Sequence, residues 1–142
     1  MRTYPSGDGK AAFIRLAKGE DLLEGLTAGV VELGIRAGTL QVIGATSHLV
    51  LGHYDQEARE YRNHEYAGGF EIASGLGNVS IRDGEPFVHL HVVASGPNGD
   101  ANGGHVMPGS IVFLAEGYVR ALDGEPPVRN FDEETGLYAW GG

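Results

Sequence analysis

The stretch Pro86-Phe-Val-His-Leu-His-Val-Val-Ala-Ser95 decides how the rest of the chain is read. On a β-strand successive side chains point to opposite faces. Val88, Leu90 and Val92 therefore share one side, and Phe87, His89, His91 and Val93 share the other. Both sides are mostly apolar, which predicts a central strand covered on both faces. Asp83-Gly84 just before it is a hairpin signal.

Two imidazoles on one face can begin a metal site, and His105 offers a third from Asn102-Gly-Gly-His-Val-Met-Pro-Gly109, read as part of a glycine-rich loop. Three protein ligands leave one coordination position for water or substrate, the open type of site. The competing reading of His89 and His91 is a pair of buried rings hydrogen-bonded to backbone or carboxylate. The third histidine, where glycines let the backbone approach closely, brings the metal reading level with the structural one. Zinc is the expected divalent ion by ligand type, with iron, nickel and manganese open. A cupin-type HxH site would need a glutamate soon after the second histidine, and Val92-Val-Ala-Ser-Gly96 has none.

Upstream, Ala11–Leu16 reads as a strand. Leu22, Leu26, Val30 and Leu33 then recur at helical spacing, with Asp21 as a cap, Glu24 as its capping-box partner and Gly34 as a stop. The spacing predicts one main helix over about residues 21–34. Thr39–Thr46, His48–Tyr54, Glu60–Tyr66, Phe70–Ser74 and Asn78–Ile81 read as further strands. Downstream, 96–104 reads as a turn-rich loop, Ser110–Leu122 as a long last strand, and Asp132-Glu-Glu134 as a solvated acidic tail. One helix with about seven strands makes an α+β domain with a mostly antiparallel sheet. One helix covers one sheet face, so oligomerisation is the expected cover for the other.

The 142 residues fit one domain. No apolar run is long enough to span a bilayer, and the opening Met-Arg-Thr-Tyr-Pro lacks the apolar core of a signal peptide, so a cytoplasmic protein without membrane association is expected. The absence of cysteine excludes disulfides, iron–sulfur clusters and thiolate zinc sites. Ten Lys and Arg against 19 Asp and Glu give a net charge of −9 with no basic run, which argues against nucleic acid as a partner. No nucleophile-elbow or phosphate-cradling glycine motif is present.

Gly68-Gly-Phe-Glu-Ile72, Gly77-Asn-Val-Ser80, Asp83-Gly84, Phe87-Val-His-Leu-His91 and Gly103-Gly-His105, at their spacing, resemble the plants-and-prokaryotes conserved (PPC) domain family. Gly44-Ala45, Leu51-Gly-His-Tyr-Asp55, Tyr61, Arg129 and Thr135-Gly-Leu137 match its free-standing prokaryotic branch. The resemblance covers residues 10–138, leaving residues 1–9 as a loose amino-terminal segment and 139–142 as a short carboxyl-terminal end. It implies an α+β fold assembled as a homotrimer, with His89, His91 and His105 as a metal site. The family's DNA-binding label rests on an AT-hook in plant relatives, and this chain has no such segment. The part matching Gly68–Ala73 is linked in plant members to transcription-factor contacts, but Gly69 replaces their usual arginine.

Two roles follow for a metal-bearing domain: a binding or regulatory protein, with a small molecule at the metal as a further partner, or a small metal-dependent hydrolase or lyase. A three-histidine zinc site can bring the pKa of bound water to about 7. Glu71 is then the candidate catalytic base, with Glu116 as a second. The plainer reading is that Glu71 pairs with Arg82 or Arg120. His48 and His53 are expected on opposite strand faces and His64 at the surface.

Overall fold

Leu22, Leu26 and Val30 recur every fourth residue and are fully buried, so this segment turns one apolar stripe inward. In the computed structural model, which describes residues 1–141, they lie on the single helix α1 (Leu22–Glu32). Asp21 caps it, its carboxylate accepting from the backbone N–H groups of Leu23 and Glu24. Leu33 closes the helix with Gly34 behind it, so the observed ends fall inside the expected 21–34.

The strands are β1 (Arg2–Pro5), β2 (Ala11–Leu16), β3 (Gly38–Asp55), β4 (Glu60–Arg82), β5 (Glu85–Ser95), β6 (Ala101–Val106), β7 (Ile111–Ala121), β8 (Val128–Asp132) and β9 (Leu137–Trp140). They form one sheet in the order β1-β2-β7-β3-β6-β5-β4-β8-β9, with β3 also pairing β4. Every pairing is antiparallel except β4 with β8. Through β3–β4, β4–β5, β5–β6 and β6–β3 the ladder closes on itself around the histidine strand.

The count of about seven strands is corrected to nine. The residues expected as two strands between 39 and 54 form one strand, irregular between Thr46 and His48. The three expected between 60 and 81 also form one, with a bulge between Ile72 and Ser74. The amino terminus is not loose: Arg2–Pro5 pair with Ala12–Arg15. The tail after Asp123 supplies β8 and β9, which polar sequence and Pro126-Pro127 had concealed. The Asp83-Gly84 hairpin stands, with positive φ at both residues (52° and 86°) as a two-residue type I′ turn requires.

The helix packs on β2, β5 and β7, and the core joins its stripe to Ile14, Leu16, Val88, Leu90, Val92 and Val119. The opposite face of β2, β3 and β7 leaves Phe13, Ile43, Phe113 and Leu114 exposed. Among the described residues no helix is long and apolar enough to cross a membrane.

Candidate metal centre

The alternation of β5 places its two faces in different surroundings. Val88, Leu90 and Val92 are buried in the core under the helix. His89 and His91 stand on the other face, His89 partly buried and His91 open. That face is open within the chain at its His91–Val93 end, where Val93 is 46% exposed. Gly77 lies across from Leu90, where a Cβ would stand 2.4 Å from the His89 carbonyl oxygen. Only a residue without a side chain lets β4 close on β5 there.

His105 was expected on a loop. It lies on β6, directly paired with His91. A glycine-rich run therefore makes a short strand because Gly103 and Gly104 allow it to fit between β5 and β3, the Gly104 position lying close to the Gly52 carbonyl. Cross-strand partners share a face, so all three imidazoles meet on one side of the sheet.

Their ring centroids are 5.0–5.2 Å apart, and one ligand nitrogen from each lies within 4.8 Å of the others. His89 Nε2 and His91 Nε2 are separated by 3.1 Å. Two nitrogens bound tetrahedrally to one zinc at 2.0–2.1 Å stand roughly 3.3 Å apart, so this pair is already near ligating separation. His105 Nδ1 is buried with no hydrogen-bond partner, an orphaned polar atom of the kind that calls for a bound group. The donor set fits a divalent ion of borderline softness.

Arg129, on β8, reaches the site from outside the histidine motifs. Its guanidinium donates to Ser80 Oγ (2.9 Å), Asn78 Oδ1 (3.0 Å) and the Tyr138 carbonyl (3.0 Å), and Nη2 stands 3.2 Å from His89 Nδ1. A guanidinium only donates. His89 Nδ1 therefore accepts, and the neutral ring carries its proton on Nε2, facing His91. For His89 to hold a metal through Nε2, that nitrogen would have to give up its proton. Tyr61 completes the surround, its ring tilted against His105 at 5.3 Å. The family resemblance placed Tyr61 and Arg129 in the pattern, but no local motif tied either to the histidines. Their links are made by the β3–β4 hairpin and by β8 lying beside β4.

Burial, reinforced by the other rings and by Arg129, pushes the pKa of His89 and of His105 down to about 4. Both histidines are thus more readily protonated in the unfolded chain, near 6.5. Between these values the unfolded state binds more protons, so folding stability falls as pH drops through that window. Melting temperatures of metal-free protein should decline from pH 6.5 to 4, and His105→Gln should flatten the decline. An equal slope in both would assign the acid sensitivity to other groups.

Glu71 does not join the trio. It pairs with Ser95 on β5, four residues beyond His91 and so roughly 13 Å along the strand. It lines a separate groove with Phe70, Gly96 and Phe113, and makes no ion pair with Arg82 or Arg120 among the described residues. Glu116 lines yet another groove with Phe13 and Ile43. His48 stands 3.7 Å from the exposed Glu65 carboxylate, His53 and His64 are exposed, and none of them reaches the cluster.

The profile of the Plants and Prokaryotes Conserved (PCC) domain matches residues 4–123. A metal-containing protein of Archaeoglobus fulgidus is 41% identical over the full length of both chains, with a TM-score of 0.88. A plant- and prokaryote-conserved protein of Pyrococcus horikoshii is 33% identical, covering 100% of this chain and 92% of its own, with a TM-score of 0.86. A protein of Bacteroides thetaiotaomicron provisionally named as DNA-binding has a TM-score of 0.90 at 21% identity, covering 99% and 96%, and shares the fold alone. No curated protein matches the chain.

Proposed function

The chain belongs to the Plants and Prokaryotes Conserved domain family, and from that premise we propose that it is a metal-binding homotrimer whose His89, His91 and His105 hold one divalent ion per chain, zinc by ligand type. The observation that carries this reading is the convergence of three imidazole nitrogens within 4.8 Å on adjacent strands. The metal-containing Archaeoglobus relative supports it. When bound, the ion supplies a concentrated positive charge able to polarise a ligand.

The chain's own residues do the rest. Arg129 holds the Nδ1 side of His89, Tyr61 covers His105, and the buried face of β5 fixes the pitch of the pair. The exposed Phe13, Ile43, Phe113 and Leu114 form the apolar sheet face that self-association would cover. A binding or regulatory role in the cytoplasm suits a site that Glu71 does not reach and where the acid lining the cavity, Glu60, is exposed and set among Arg59, Arg82 and Arg129. The enzyme reading, hydrolase or lyase, draws support from the cavity that opens at His89 and His105. A base for it would have to come from a residue other than Glu71. DNA has no place in this reading, because a charge of −9 with no basic run offers little to phosphate.

Zinc added to the metal-free protein at about a thousand times its dissociation constant should stabilise the fold by about 4 kcal/mol. Elemental analysis should find one ion per chain. An unchanged melting temperature and no bound metal would end the proposal.

A further inference from the structure

The geometry points to a small carboxylate with an apolar body as the ligand of the cavity beside His89 and His105. This deepens the metal reading and rests on it only for the part the histidines play; the arginines and aromatic walls stand without it.

The cavity measures about 280 Å³, small for a ligand site. Its charge is unusual for this molecule. The chain carries a net −9, yet Arg59, Arg82 and Arg129 line the cavity against a single acid, Glu60. Arg129 is buried, and among the described residues no carboxylate lies within ion-pairing distance of it. All its partners are neutral, and they leave one Nη1 hydrogen free. A buried, uncompensated cation is costly, and an anion entering the cavity would relieve it. Among the described residues, the one carboxylate Arg82 approaches is that of the exposed Asp83, at 3.5 Å.

The walls choose among anions. Arg82 lies 3.6 Å above the Tyr138 ring, Arg129 lies 5.3 Å from the Phe87 ring, and Tyr61 stands against His105. A fully hydrated phosphate has no apolar surface to set against these rings. A carboxylate on an apolar or aromatic body matches both arginine and ring.

Benzoate is the probe, and neutral benzamide is its control. The arginine Nε–H signals of ¹⁵N-labelled protein are followed by NMR, first metal-free and then with zinc. Benzoate should shift Arg82 and Arg129 saturably, and benzamide should do so at least about tenfold more weakly, a difference of about 1.4 kcal/mol. Arg82→Gln, a partly exposed position, should weaken benzoate by a similar factor while the remaining spectrum stays in place. Equal responses to benzoate and benzamide, or non-saturating shifts, would overturn the assignment in the wild-type protein whatever the variant does. Saturable benzoate shifts in a protein that takes up no zinc would support the cavity and remove the metal.

Discussion

His91→Ala lowers divalent-metal affinity by at least about a hundredfold and leaves the metal-free melting temperature almost unchanged. Loss of a supporting hydrogen bond behind a metal ligand already costs about ten- to a hundredfold in affinity. Removing a ligand outright leaves two imidazoles and no closed set. The fold is spared because His91 is exposed and its ring makes no hydrogen bond beyond His89. Surface substitutions of this kind stay within about 0.5 kcal/mol. A competition titration with a chromophoric chelator, beside a thermal melt, reads both quantities. Wild-type metal affinity in His91→Ala would mean that the ion sits elsewhere.

Leu90→Ala gives the opposite result from the next residue. Leu90 is fully buried in the core beneath the helix. Truncating such a leucine costs about 2–5 kcal/mol, from lost transfer energy and the cavity left behind. For a chain of this size that corresponds to roughly 6–20 °C in melting temperature. Below that temperature the metal stoichiometry should remain one per chain, since the methyls removed point away from the imidazoles. Denaturant unfolding and metal analysis on the same sample check both parts. A change of less than about 1 kcal/mol would contradict the placement of Leu90 in the core. Two neighbouring residues with opposite effects are the consequence of strand alternation.

That alternation was legible in Phe87–Val93 without any structure, and so were the helix stripe, its Asp21 cap and the Asp83-Gly84 turn. These signals are local, a few residues deciding their own conformation. The length of β3 and β4 was not legible, because bulges at Thr46–His48 and Ile72–Ser74 break the period of two that marks a strand. β6 was hidden for a related reason. Gly103 and Gly104 have low strand preference, and they form a strand because close packing against β5 and β3 excludes side chains there. At the site, the three histidines could be read from spacing and family resemblance together. Arg129 could not be tied to His89 from either, being separated in sequence and joined by the parallel β4–β8 contact. Glu71 was a reasonable base only while its strand neighbour was unknown; its register opposite Ser95 carries it away from the cluster.

The most direct test is anomalous X-ray diffraction at the zinc absorption edge from crystals of protein purified without a histidine tag and loaded with zinc. One peak per chain is expected, about 2.0–2.1 Å from a ring nitrogen of each of His89, His91 and His105. No peak among these three rings, or a peak held by other residues, would contradict the metal centre.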